Sequence, residues 1–207
     1  MIPVKILAVR YLANADSALA QSLGAPEGYP SLGLLTTDCD DATYIALDQA
    51  TKAADVQVCY SRSFYAGAAN ASTPNAGEVI GILAGATPGA VRSGMEAALT
   101  ALGRVGFEEI AGVPYLAQTV SSVGSFLASE AGVAQGSALA YLIAPPLESM
   151  YGMDAALKAA DVKLCKLYAP PSETNFGGGL LSGTRSACEA ARTAFADAVA
   201  EVARAPR

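Results

Sequence analysis

Three aspartates stand within four residues of this chain. Asp38, Asp40 and Asp41 follow the apolar segment 31–36. Carboxylate oxygens accept charge-assisted hydrogen bonds, so a pair of them suits the binding of an ammonium group. The structural alternative is that they cap the start of a helix and complement its dipole, which one aspartate can do alone. The cluster therefore favours an acidic pocket for a small cation.

Histidine is absent from the sequence. Its absence excludes a Ser-His-Asp triad, a Cys-His pair and a histidine-based metal site. Carboxylate catalysis, with Glu78 or Asp41 as general base and Tyr65 as acid, stays open in principle. The three glycines at 177–179 lack the lysine or helix start of a phosphate-binding loop. We predict a protein that is not an enzyme and has no cofactor and no metal site.

The net charge and the apolar fraction of the chain indicate which classes of molecule it binds. The chain has 207 residues, of which 52% are hydrophobic and 15% charged, with a net charge of -6. An acidic chain does not suit nucleic acid. The apolar excess indicates surface buried against other subunits, although alanine, which buries little, accounts for part of it. The apolar run 79–91 contains Pro88 and is too short to span a membrane.

The amino terminus indicates a soluble, intracellular protein. Residues 1–12 lack the long apolar core of a signal peptide, since charged residues interrupt them. The four cysteines form no CxxC pair, so neither a zinc knuckle nor a redox dithiol is indicated. We predict buried structural thiols. They are Cys39, Cys59, Cys165 and Cys188.

The elements that must position the aspartates occur twice. Residues 47–59 return as residues 153–165 with eight of thirteen positions identical, at a spacing of 106. A period of half the chain indicates two copies of one domain in tandem. Ahead of this repeat the two copies differ. Residues 38–41 contain the three aspartates, whereas the corresponding residues 144–147 carry no carboxylate.

Each half is predicted as β-α-β-α-β-β-α, an α+β layer with helices on one face of a mainly antiparallel sheet. The predicted strands are residues 5–12, 31–36, 56–60 and 78–83, then 115–120, 138–143, 162–167 and 179–182. One helix should begin with Thr87 as cap and Pro88 in its first turn, and end at Gly103. The last helix should span residues 185–204. We place the domains at residues 1–106 and 107–207.

Long connections, at residues 61–77 and 169–179, occupy the same place in both halves. Loops of this length in a compact domain are usually functional or mobile. Their occurrence in both copies argues against tolerated surface insertions.

The repeated segment at 154–164 resembles the signature of bacterial microcompartment shell domains. The resemblance extends over nearly the whole chain to the EutL-type shell proteins of ethanolamine-utilization compartments. The matching stretches are residues 31–34, 38–44, 62–68, 76–79, 144–148 and 171–176.

This resemblance implies two tandem, circularly permuted shell domains of ferredoxin-like layer type. Three chains would form a pseudohexameric homotrimer, and such tiles would associate edge to edge with other shell proteins into a sheet. The two long loops would meet at the threefold axis and form a central pore that opens and closes. The pore residues implied are Tyr65, Gly67, Asn70, Gly177 and Gly178.

Ligand and edge residues are also implied by the resemblance. The motif lysines, Lys52 and Lys158, would lie at tile edges, whereas without the resemblance they are ordinary helix lysines. A bound amine would bias the pore through its different affinity for the two pore states. An ethanolamine pocket would contain Asp40, Asp41, Glu78, Phe107, Thr174, Asn175 and Phe176.

The alternative function is a duplicated α+β sensor of small amines, and compartments for choline or diols are alternative pathways.

Overall fold

Two α+β units follow one another along the chain, and the second has the same order of elements as the first after one additional strand. The computed structural model describes residues 1–64, 78–170, 172 and 174–206. The first unit contains β1 (Ile6–Leu12), α1 (Ser17–Ser22), β2 (Ser31–Thr37), α2 (Asp40–Ala53), β3 (Val56–Phe64), β4 (Glu78–Gly85) and α3 (Pro88–Leu102). The second contains β5 (Glu108–Ile110), β6 (Val113–Val120), α4 (Ser125–Ala131), β7 (Ala138–Ala144), α5 (Pro146–Ala159), β8 (Val162–Tyr168), β9 (Gly177–Gly183) and α6 (Arg185–Arg204).

Each unit is built on one antiparallel sheet. The strand orders are β1-β2-β4-β3 and β5-β6-β7-β9-β8, so the second sheet is the first with the short strand β5 added at its edge. The long helices pack together in pairs, α2 with α3 and α5 with α6, against their sheets. The predicted α+β class is confirmed, and the elements follow the predicted order except that β5 was not predicted. The division at residues 106 and 107 stays a prediction.

Helix ends follow the signals in the sequence. The Thr87 hydroxyl accepts a hydrogen bond from the Ala90 N–H at 3.2 Å, Pro88 opens α3, and Gly103 follows its last residue. Thr184 caps α6 in the same way, accepting from the Ala187 N–H at 3.1 Å. Each cap satisfies an N–H that has no partner inside the helix. No helix among the described residues is long and apolar enough to cross a bilayer.

The two predicted loops are shorter than the sequence indicated. Strand β3 continues to Phe64, and β9 begins at Gly177, so Gly177 and Gly178 are strand residues and not loop residues. Gly178 has a φ of 145°, and a Cβ there would lie 1.9 Å from the Leu142 carbonyl oxygen. The glycine therefore lets β9 approach β7 closely enough to pair. The predicted pore residues Tyr65, Gly67 and Asn70 lie outside the described residues.

The prediction of four buried thiols is wrong for two of them. Cys39 and Cys188 are buried, but Cys59 and Cys165 are partly exposed, and all four are free. The repeat mates Cys59 and Cys165 lie on β3 and β8, which each form an edge of their sheet. Edge strands cover their side chains less completely than central strands do.

The two units are joined by the carboxylate of Asp48. This residue of α2 is fully buried, and it accepts hydrogen bonds from the N–H groups of Gly124 at 2.8 Å and Leu127 at 2.9 Å. Those groups belong to the start of α4, where Gly124 has no side chain to serve as a cap. An aspartate of the first unit thus caps a helix of the second.

Neighbouring side chains of α2 extend this junction. The Thr51 hydroxyl accepts from the Ser125 N–H at 3.1 Å, and the Lys52 ammonium donates to the Ser122 carbonyl at 2.8 Å. Lys52 also lies 3.4 Å from the Asp48 carboxylate. The junction therefore uses three residues of one helix to hold one helix start.

Asp48→Ala should lower the free energy of unfolding by about 3 kcal/mol, because it leaves two buried N–H groups without an acceptor. Urea unfolding followed by circular dichroism measures the change. Glu189→Ala is the control, since it removes an exposed ion pair with Arg185 and should shift stability by less than about 0.5 kcal/mol. Equal losses in the two variants would contradict this account of the junction.

Candidate functional site

A cavity of about 360 Å³ opens at the junction between the two units. The first unit contributes α2 and β3 to its wall, and the second contributes α4, β7, β8 and the segment before β9. Its lining residues are Asp40, Asp41, Tyr44, Ser61, Arg62, Ser63, Phe126, Leu127, Glu130, Tyr141, Ile143, Lys166, Tyr168, Ala169, Ser172, Thr174 and Phe176.

The turn from β2 into α2 places two carboxyl groups in this cavity. Thr37 and Thr43 are joined through their hydroxyls at 2.7 Å, and the Thr37 hydroxyl also accepts from the Cys39 N–H at 3.2 Å. The chain is thereby fixed before Asp40 and Asp41, the first residues of α2. Both are almost fully buried. Part of their negative charge is offset by the positive end of the helix dipole.

Burial makes ionisation of this pair unfavourable. Loss of solvation raises the pKa of Asp40 to about 6, although hydrogen bonds from the Ser63 hydroxyl and the backbone act in the opposite direction. Loss of solvation and the neighbouring Asp40 charge raise the pKa of Asp41 well above its ordinary value. The two carboxyl groups are hydrogen-bonded to each other. Two adjacent buried carboxyls cannot both ionise without a cation.

Tyrosines of the second unit complete the polar wall. The Tyr141 hydroxyl donates to Asp41 Oδ1 at 2.7 Å, which links the acid pair directly to the second sheet. Its ring stacks on Tyr168 with centroids 6.3 Å apart and planes at 25°. On the opposite side Tyr44 is hydrogen-bonded to Ser63 and packs on Phe126 at 5.9 Å.

An ion pair between Lys166 and Glu130 also lies on the cavity wall. The Lys166 ammonium is 2.5 Å from Glu130 and 5.3 Å from the centroid of the Tyr168 ring. The ion pairs and hydrogen bonds of the described residues join Lys166 to Glu130 and not to the aspartates. The arrangement can hold a small cation, with the buried carboxyl pair as anionic partner and aromatic faces beside it.

Four of the seven predicted pocket residues line this cavity: Asp40, Asp41, Thr174 and Phe176. Phe107 does not line it but packs on Phe176, with ring centroids 5.8 Å apart. Asn175 is exposed in a left-handed conformation, φ 73°, and Glu78 lies at the start of β4, opposite Phe64. The last two are outside the lining, and the ligand roles of all seven stay predictions.

Apart from Phe176, sequence reasoning missed the aromatic residues of the site. A search for carboxylates present in one copy and absent from the other finds the aspartates of the first copy. Tyr141 and Tyr168 lie in the second copy, which lacks those aspartates, so this search does not find them. The reverse comparison contains a signal, because β7 carries Tyr141 where β2 carries Leu34, and β8 carries Tyr168 where β3 carries Arg62. Within the described part of the chain, no group of three cysteine or acidic residues is placed to hold a metal ion.

Comparisons with known proteins agree on one family. The family model of the BMC domain matches residues 31–113. The bacterial microcompartment shell protein EutL of Clostridium perfringens is 55% identical over 100% of this chain and 97% of its own length. The protein of the same name from Salmonella typhimurium is 46% identical over 100% of this chain and 96% of its own length.

Solved structures give the same result. The crystal structure of the ethanolamine utilization protein EutL from Leptotrichia buccalis superposes with a TM-score of 0.93 at 54% identity, covering 99% of this chain and 96% of that one. EtuB from Clostridium kluyveri superposes with a TM-score of 0.82 at 25% identity, covering 96% and 88%. The fold and the tandem arrangement are thus shared with shell proteins.

The raised pKa of Asp40 predicts a pH-dependent stability. The folded-state pKa of about 6 exceeds the unfolded value of about 3.9, so the folded chain holds a proton that the unfolded chain releases. This contribution is complete below pH 4 and is lost as the pH rises through 6. Between pH 4 and pH 7, the free energy of unfolding should therefore fall by about 2 kcal/mol more in the unaltered chain than in Asp40→Asn.

Urea unfolding at pH 4 and pH 7 measures this difference. Asp55→Asn, which alters an exposed aspartate bonded to Tyr29, is the control and should follow the unaltered chain. The same pH response in Asp40→Asn and the unaltered chain would contradict the prediction.

Proposed function

The chain belongs to the EutL family of bacterial microcompartment shell proteins, and we propose that it forms a trimeric tile with a gated central pore. As a member of this family it is a structural protein of the shell and not an enzyme. The alternative of a free-standing amine sensor is not supported, because the relatives are shell proteins over the full length of the chain. The name of the Leptotrichia relative supports ethanolamine utilization as the pathway that the shell encloses.

Duplication supports the trimer. Two units of one fold stand in each chain, so three chains supply six units for a ring of hexagonal outline. Such a tile associates edge to edge with other shell proteins. The pore at its axis admits metabolites or cofactors.

The buried pair of Asp40 and Asp41 carries the proposal that the tile binds a small primary amine such as ethanolamine. Burial disfavours the ionised form of these carboxyls, and an ammonium group placed between them stabilises that form with its positive charge. The Thr174 and Ser63 hydroxyls lie in the same lining and offer partners to an alcohol. Aromatic faces of Tyr168 and Phe126 shield the charge from water.

Ligand binding is proposed to reach the pore through the segment before β9. Thr174 and Phe176 line the cavity, and the predicted pore residues Gly177 and Gly178 follow directly as the first residues of β9. An amine that binds one arrangement of this segment better than another shifts the pore between states.

Compartments that process choline or diols are alternatives to ethanolamine utilization. The genes beside this one would distinguish these pathways.

Lys158 is proposed as a tile-edge contact. Its side chain is largely exposed, and its ammonium is 2.6 Å from Asp154. Lys52, its repeat mate, is bound to Ser122 within the chain. A contact of Lys52 at a tile edge would therefore compete with its hydrogen bond to Ser122.

Amine binding should depend on the ionisation of the acid pair. We expect ethanolamine affinity, measured by isothermal titration calorimetry, to rise about tenfold from pH 5 to pH 7, because Asp40 loses its proton in that interval. Asp40→Asn should weaken binding at least tenfold at pH 7 and remove the pH dependence. Ethylene glycol, which lacks the ammonium, is the control ligand and should bind neither protein. Unchanged affinity in Asp40→Asn would exclude the amine site.

Replacing Lys158 with alanine should reduce flat sheets and leave the trimer intact, because among the described residues its hydrogen bond and ion pair are with Asp154 on the same exposed helix face. Negative-stain electron microscopy of concentrated protein counts the sheets, and light scattering gives the mass of the trimer. Lys163→Ala, an exposed lysine of β8, is the matched control. Loss of the trimer, or sheets as abundant as those of the control, would contradict the edge role.

A further inference from the structure

The third aspartate of the acidic cluster, Asp38, does not line the cavity. It is nevertheless buried, with 8% of its surface exposed. Its carboxylate accepts a hydrogen bond from the Lys5 N–H at 2.7 Å, and its own N–H donates to the Lys5 carbonyl at 3.1 Å. The carboxylate of Asp38 is therefore directed at the segment before β1.

The bond from Lys5 replaces a bond of the strand ladder. β1 and β2 pair antiparallel with Ile6 opposite Thr37, which places Lys5 opposite Asp38. In such a pair the two residues exchange bonds between backbone N–H groups and carbonyls. Here the Asp38 side chain takes the place of its own carbonyl, so the main chain can turn from β2 into α2 while the pair stays closed.

The same segment is anchored at its other end to the connection between the two units. The Ile2 N–H donates to the Phe107 carbonyl at 2.6 Å, and Ile2 and Val4 pack against the main core. Gly106 permits this approach, because a Cβ there would lie 2.7 Å from the Ile2 carbonyl oxygen. Residues 2–5, here called the brace, thus join the turn before α2 to the connection between the units.

Both ends of the brace lie directly behind walls of the cavity. Asp38 precedes the acid pair by two residues. Phe107 is fully buried, and its ring packs on Phe176, which lines the cavity, with centroids 5.8 Å apart. Three residues of chain reach at most about 11 Å, so the brace limits how far these two walls can separate.

The second unit is built differently at the corresponding place. Ala144 stands where the first unit has Asp38, and β5 with its turn precedes β6 where the brace precedes β1. The second unit reaches the same fold with this other arrangement. The brace therefore accompanies the acid pair, and the fold alone does not account for it.

We propose that Asp38 is a positioning residue of the amine site and that it acts through the brace. The role rests on the proposed binding of a small primary amine. The bond between Asp38 and Lys5 fixes the turn that presents the acid pair, and the brace holds the connection that supports Phe176. The action is one of geometry, so any acceptor oxygen at position 38 serves it.

Isothermal titration calorimetry with ethanolamine at pH 7 tests this role. Asp38→Ala should weaken binding at least about fivefold, because the Lys5 N–H loses its acceptor and the turn before the acid pair is released. Asp38→Asn keeps an acceptor oxygen at the same place and should bind within about twofold of the unaltered chain.

Ser31→Ala is the matched control for a loss of stability. The Ser31 hydroxyl donates to the Ala13 carbonyl at 2.8 Å, at the far end of the same pair of strands. Its removal should lower the free energy of unfolding and leave ethanolamine affinity unchanged, because the brace and the acid pair stay in place.

Gly106→Ala tests the brace from its other end and leaves every aspartate in place. The added Cβ would displace the Ile2 carbonyl and should weaken ethanolamine binding as Asp38→Ala does. Gly89→Ala is the control, since the nearest atom to a Cβ there is Thr87 Oγ1 at 3.8 Å. This second variant should bind ethanolamine as the unaltered chain does.

Tryptic cleavage after Lys5 reports on the brace without a measurement of affinity. Trypsin cuts a segment that opens locally, so Asp38→Ala should release residues 1–5 at least about five times faster than Asp38→Asn. Ethanolamine should slow the release from the unaltered chain, because coupling between a ligand and the brace is reciprocal. Mass spectrometry of the released peptide measures both rates.

The outcomes separate this role from the proposed function. An unaltered chain that binds no ethanolamine would overturn the amine site and the positioning role together. Ethanolamine bound equally well by the unaltered chain, Asp38→Ala and Gly106→Ala would overturn the positioning role and leave the amine site standing. Equal weakening in Asp38→Ala and Asp38→Asn would also overturn it, because the charge of Asp38 and not its bond to Lys5 would then be responsible.

Discussion

One buried carboxylate fixes the relation between the two halves of this protein. Asp48 accepts two hydrogen bonds from the start of α4, and no solvent reaches it. A buried charge of this kind is tolerated only with complete pairing, so the two units have little freedom to separate or rotate. The cavity, with walls from both units, depends on this constraint.

The acid pair gains its properties from that placement. Asp40 and Asp41 open a helix, where a carboxylate is ordinary, but the second unit closes over them and removes their solvent. Tyr141 satisfies one oxygen, and no cation of the chain that the structure describes is bonded to the pair. Common capping residues thus become a buried carboxyl pair, which the shell protein obtains from the arrangement of two otherwise similar units.

The sequence predicts the elements well because their signals are local. The repeat, the Thr87 cap and the period-two strands each depend on neighbouring residues, and the structure has them where expected. The aspartates were found because one copy has them and the other does not. Tyr141 and Phe126 were not found, since their approach to Asp41 and Tyr44 depends on how the two units dock. Docking arises from Asp48 and Gly124, 76 residues apart, which no local pattern links.

Joining two copies in one chain has a genetic consequence. In a ring of six identical subunits, a substitution alters all six boundaries at once, so no boundary can specialise without the others. Here position 41 is aspartate and its counterpart 147 is leucine, and each can change alone. Fusion of the copies therefore allows one unit to acquire a carboxylate while the other keeps an apolar residue at the corresponding position.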